Sequence, residues 1–205
     1  MKWQDFLKRL GNEIIFESSS ISVGEAKSRN IQNRLYQWVL QEKLIKLRRG
    51  IYTFCEPYRK ETPSSELVAN RLVYPSYISL TYALFFYNLI PEGVFTVTNV
   101  TTDRGQFFTN PFGIFRYRHI STDYFWGYYL LDQGSHQISI AHPEKAILDF
   151  FYLLKGETSS NRIAEMRFQN LDQLSAERMI GFLSKFNRPK LYRIMQLAPF
   201  NKFIK

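Results

Sequence analysis

Residues 28–54 read SRNIQNRLYQWVLQEKLIKLRRGIYTF, and two periodicities within them decide the fold of the N-terminal region. From Ser28 to Glu42 the apolar residues recur every three or four positions. At about 100° per residue, Ile31, Leu35, Trp38 and Val39 share one face, and Arg29, Gln32, Asn33, Tyr36 and Gln37 share the opposite one. The pattern predicts an amphipathic helix with Ser28 as its N-cap. From Leu44 to Phe54 two short β-prone runs flank Arg48-Arg49-Gly50. They predict a tight hairpin in which Gly50 supplies the positive φ.

Upstream, Trp3, Phe6, Leu7 and Leu10 stand at helical spacing and Gly11 ends the run. Ser18, Ser19 and Ser20 offer caps for a short helix within 16–23 that closes near Gly24. Helices followed by a hairpin predict a winged helix-turn-helix over residues 1–58.

Downstream, residues 57–65 are polar, carry Pro57 and Pro63, and predict a domain boundary. The remainder, residues 64–205, predicts a mixed domain with a mostly antiparallel sheet and a helical C-terminal end, so that the whole chain is α+β. Its expected helices are 66–73 and 79–89, with a turn at Pro91-Glu92-Gly93. Its expected strands are 94–100, the hairpin of 106–109 with 114–118, then 124–131 and 137–141. Pro143 opens a helix reaching about Leu154, and 159–200 is helical with breaks near Asn170 and Asn187–Pro189.

The formal charge is +9. It is uneven: +5 over residues 1–63, −2 over 64–154 and +6 over 155–205. Basic ends suit a polyanionic partner. Between Lys27 and Arg49 there are seven Lys/Arg and one acid, Glu42. Cys55 is the single cysteine, which excludes an internal disulfide and a Cys-rich zinc site and fits a reducing cytoplasm. No signal peptide is expected at the N-terminus. The apolar stretch 77–90 is too short and too polar to span a bilayer, so no membrane partner is expected.

A helix that enters the major groove needs outward side chains able to pair with base edges. Gln32 and Asn33 can bond adenine, Arg29 can reach guanine or phosphate, and Tyr36 can reach phosphate or a thymine methyl. Lys46, Arg48 and Arg49 on the following hairpin can lie along the DNA backbone. The expected DNA-binding set is therefore Ser28, Arg29, Gln32, Asn33, Tyr36, Lys46, Arg48 and Arg49. The basic, aromatic-interleaved stretch 185–205 is either a second nucleic-acid contact or a helix covering the preceding domain with its cations snorkelling outward.

Other chemistry finds less support. His119, His136 and His142 lack metal-ligand spacing, and no metal or other cofactor is expected. Asp103, Asp123, Asp132, Glu144 and Asp149 are the carboxylates from which a metal-dependent nuclease site would have to be built. Glu144 and Asp149 sit about 140° apart on their helix, too far round to share one ion. A protein-interaction module without specific DNA binding is the other alternative.

Three segments carry a family resemblance. They are Leu47-Arg48-Arg49-Gly50-Ile51-Tyr52, the run from Pro75-Ser76-Tyr77-Ile78-Ser79-Leu80 to Ala83-Leu84, and Ala141-His142-Pro143-Glu144-Lys145-Ala146-Ile147-Leu148-Asp149. In this order, across residues 1–155, they resemble the AbiEi-type antitoxins of type IV toxin–antitoxin systems. The resemblance implies a winged-helix transcriptional repressor that binds double-stranded operator DNA upstream of its own operon. It also implies a non-enzymatic antitoxin that counteracts a nucleotidyltransferase-like toxin. From the residues themselves, Pro143 starts a helix, Glu144 suits its positive end, and Ala146, Ile147 and Phe150 pack inward.

Overall fold

The computed structural model describes residues 2–21 and 28–204, without the side chains of Ser28 and Arg29. The expected helix closure near Gly24, the Ser28 cap and the Arg29 contact lie outside the described residues.

The described residues form a mixed α and β structure with two sheets. Its first part runs α1 (Trp3–Leu10), β1 (Phe16–Glu17), α2 (Ser18–Ile21), α3 (Ser28–Leu40), β2 (Leu44–Arg48) and β3 (Ile51–Phe54). The strands pair antiparallel in the order β1-β3-β2. Ile31, Leu35 and Trp38 of α3 are buried against Phe6, Phe16 and Phe54. Phe6 and Trp38 lie 4.6 Å apart between ring centroids. A fully buried ring of this kind contributes about 1.5–3 kcal/mol by leaving water, so this small region draws much of its stability from few residues.

The second part begins with α4 (Ser65–Leu72), capped by Ser64, whose hydroxyl accepts from the Leu67 amide at 3.1 Å. There follow β4 (Ser76–Ile78), α5 (Leu80–Phe86), β5 (Thr96–Thr101), β6 (Gln106–Asn110), β7 (Gly113–His119), β8 (Tyr128–Gln133) and β9 (His136–Ala141). The C-terminal end is helical: α6 (Pro143–Leu153), α7 (Ser160–Glu165), α8 (Ala176–Phe186) and α9 (Pro189–Met195). The strands form one sheet in the order β6-β7-β5-β4-β9-β8. The pairs β6–β7, β5–β4 and β9–β8 are antiparallel, and β5–β7 and β4–β9 are parallel.

Two features of this sheet differ from the sequence expectation. The central strand β4 is not among the expected strands. It is three residues long and buried throughout, too short for alternation to register. The expected strand at 124–131 starts later, at Tyr128, after a 3₁₀ turn at Thr122–Tyr124. Gly127, at φ +76°, breaks the extended path there.

The hairpin β2–β3 belongs to two cores. Leu44, Tyr52 and Phe54 face the aromatic cluster of α1 and α3, whereas Leu47 and Ile51 join the larger core of the six-stranded sheet. The Asn110 amide on β6 donates to the Leu47 carbonyl at 3.3 Å. No helix among the described residues is long and apolar enough to cross a membrane.

Candidate nucleic-acid interface

With Ile31, Leu35 and Trp38 turned inward, the helical period leaves Gln32, Asn33 and Tyr36 in solvent, and Tyr36 is 61% exposed. The hairpin returns beside them. Gly50, at φ +85°, closes it, and the Gly50 carbonyl accepts the Ser18 amide at 2.8 Å, anchoring the turn to α2. Between α3 and the hairpin lies an open groove of about 630 Å³. Gln32, Asn33 and Tyr36 line one wall, and Lys46 and Arg49 line the other. Val39 and Tyr52 form apolar surface between them. Burial pushes the Tyr52 hydroxyl above the ordinary tyrosine value, so it remains a neutral donor.

Among the described residues no acid lines this groove. Lys46 and Arg49 are exposed, and among the described residues neither is paired with a carboxylate. Amide side chains on one wall and free cations on the other can do two things at once. The cations neutralise phosphates, and the amides make paired donor–acceptor bonds to a base edge.

Five of the eight expected residues thus meet in one place. Ser28 and Arg29 cannot be placed by their side chains. Arg48 goes elsewhere: the β2–β3 register shifts between Lys46 and Arg48, so Arg48 leaves the face that regular alternation would have it share with Lys46. Arg48 is half-buried beside Tyr117 of the larger core, where its charge partly offsets the burial that raises the Tyr117 hydroxyl. Among the described residues its buried Nε has no hydrogen-bond partner.

The carboxylates and histidines occupy separate structural roles. Glu144 is fully buried at the start of α6, accepts the Ser175 amide at 2.7 Å and meets Arg178 Nη1 at 3.3 Å. His136 lies 3.3 Å from the Ser64 hydroxyl, His119 faces the Asp103 carbonyl, and His142 stacks on Tyr129. Among the described residues no three His, Cys, Asp or Glu side chains converge as metal ligands.

One polar cluster escaped the sequence reading. Lys145 and Asp149, one turn apart on α6, are both fully buried and form an ion pair. Asp149 also accepts the Ser79 hydroxyl at 2.8 Å and the Tyr77 hydroxyl at 3.0 Å, and Lys145 donates to Tyr77 at 2.9 Å. The Lys145 ammonium lies 4.8 Å from the Trp126 ring centroid and 4.7 Å from that of Phe186. Burial pushes the lysine down and the aspartate up, and their mutual attraction opposes both shifts. Tyr77, Ser79, Lys145 and Asp149 all have 0% exposure. Their chemistry is cohesive: they join β4, the start of α5, α6 and the Trp126 loop. The i, i+4 spacing of Lys145 and Asp149 was a visible signal, but the same spacing describes an exposed helical pair.

No protein-family model and no curated protein matches this chain.

Proposed function

We propose that the chain binds double-stranded DNA through the groove between α3 and the β2–β3 hairpin and acts as a transcriptional repressor. In this reading α1 to β3 form a winged helix-turn-helix with α3 as the recognition helix and the hairpin as the wing. The observation that carries it is the gathering of Gln32, Asn33, Tyr36, Lys46 and Arg49 around one groove, with no acid lining it among the described residues. The resemblance of residues 1–155 to AbiEi-type antitoxins supplies the wider role. The chain would repress its own operon from upstream DNA and act, without catalysis of its own and in the cytoplasm, against a nucleotidyltransferase-like toxin.

Fluorescence anisotropy with the DNA upstream of the chain's own gene, against a scrambled duplex, tests the proposal. Lys46→Ala with Arg49→Ala lowers the log–log salt slope by about 1 per phosphate contact removed. Asn33→Ala costs about 1–3 kcal/mol on the cognate duplex and little on the scrambled one. Unchanged affinity and salt slope in the double variant would remove the hairpin from the interface. Equal losses on both duplexes for Asn33→Ala would remove α3 from base readout.

A further inference from the structure

A second basic cavity, of about 540 Å³, lies on the other part of the molecule. Its cations are Arg116 and Arg118 of β7, Lys155 after α6, and Arg162 of α7. The strand period puts Arg116 and Arg118 on one face of β7, while Phe115 and Tyr117 enter the core from the other. Thr98 of β5 is in register with Arg116, and its hydroxyl lies 3.5 Å from that of Thr81 at the start of α5. Apolar wall comes from Phe150 and Leu153.

Among the described residues no acid lines the cavity and none of the four cations is paired with a carboxylate. Two of them are instead held by main-chain carbonyls. Arg118 donates to Leu153 O at 3.1 Å, and Arg162 donates to Lys155 O at 3.2 Å and Glu157 O at 2.9 Å. These bonds orient the guanidinium planes without neutralising them, which is the arrangement a phosphate oxygen needs. Arg116 and Lys155 are exposed at the rim.

We infer that this cavity binds a nucleoside di- or triphosphate. Four cations exceed the roughly two negative charges of a single phosphate monoester, so a polyphosphate matches the site better. The apolar wall suits a planar base, and the volume lies within the range of about 300–1,000 Å³ typical of small-ligand sites. The site stands apart from the α3 groove and does not depend on that groove binding DNA.

Isothermal titration of the full chain with ATP and GTP, and with adenosine as the phosphate-free control, tests the assignment. At least one of the triphosphates binds saturably, with a dissociation constant below about 1 mM, and adenosine does not. Arg116→Gln with Lys155→Gln weakens binding at least about tenfold, because charge-assisted bonds are lost. Both side chains are exposed, Arg116 with its guanidinium 5.8 Å from the Phe107 ring centroid, and unchanged thermal unfolding of the double variant is expected. Lys46→Gln with Arg49→Gln leaves triphosphate binding unchanged. Absence of saturable binding, equal binding by the rim variant, or loss of binding in the Lys46/Arg49 variant overturns the inference. So does loss of DNA affinity in the rim variant when the parent chain itself binds no triphosphate, which makes the cavity a nucleic-acid contact.

Discussion

Lysine has opposite fates in the two parts of the molecule. Lys46 stands exposed on the wall of an open groove, whereas Lys145 has no exposure, one carboxylate partner and aromatic rings around it. Withdrawing a charge from water costs several kcal/mol, and only a complete set of partners offsets that. A lysine enclosed in this way fixes how helices and strands meet. One left in water contributes little to the fold and remains free to meet an outside anion.

The largest expected effect tests the buried member. Asp149→Ala removes the one carboxylate that Lys145 meets among the described residues, and urea denaturation should show a loss of about 3–5 kcal/mol. A loss under about 1 kcal/mol would mean that Lys145 reaches water and that the contrast is false. Gly127→Ala comes next. Its Cβ would sit 3.0 Å from Lys145 Cγ at a φ of +76°, and the expected cost is about 1–3 kcal/mol by the same assay.

A smaller effect concerns His142, which burial first and the charge of Arg178 second hold below the ordinary histidine value, against the opposing pull of Glu144. The unfolded chain therefore takes up this proton before the folded one. The resulting stability is present above about pH 6.5 and is lost as pH falls through the folded value. His142→Phe should flatten the stability profile between about pH 7 and 5.5, by under about 1 kcal/mol. A profile as steep as the parent's would assign the slope to other groups. The smallest effect tests the exposed member. Lys46→Ala with Arg49→Ala should change stability by no more than about 0.5 kcal/mol. A larger loss would show that the groove wall holds the fold.

The same contrast separates what was legible in the sequence from what was not. The 3.6-residue period from Ile31 to Val39 and the glycine at the hairpin turn are local signals, and the helix, the hairpin and the groove follow from them. β4 is short and buried on every side, so it offers no alternation to read. Lys145 is enclosed by Trp126, Phe186 and Tyr77, which are far from it in sequence, and helical spacing cannot report such neighbours. Arg48 and Arg49 look interchangeable in the sequence. The register shift that takes Arg48 off the face of Lys46, and so away from the groove that Arg49 lines, arises from strand pairing, a tertiary property.

Arg48-Arg49 before a glycine turn is, in an isolated hairpin, a ready cleavage point for trypsin. A protease must draw several residues of extended chain into its cleft, and here the neighbours on either side, Leu47 and Ile51, are built into the larger core while Leu44 and Phe54 are built into the smaller one. Releasing the dibasic pair therefore means opening both cores. The rate of nicking at this peptide bond becomes a gauge of how often the two parts of the molecule come undone together.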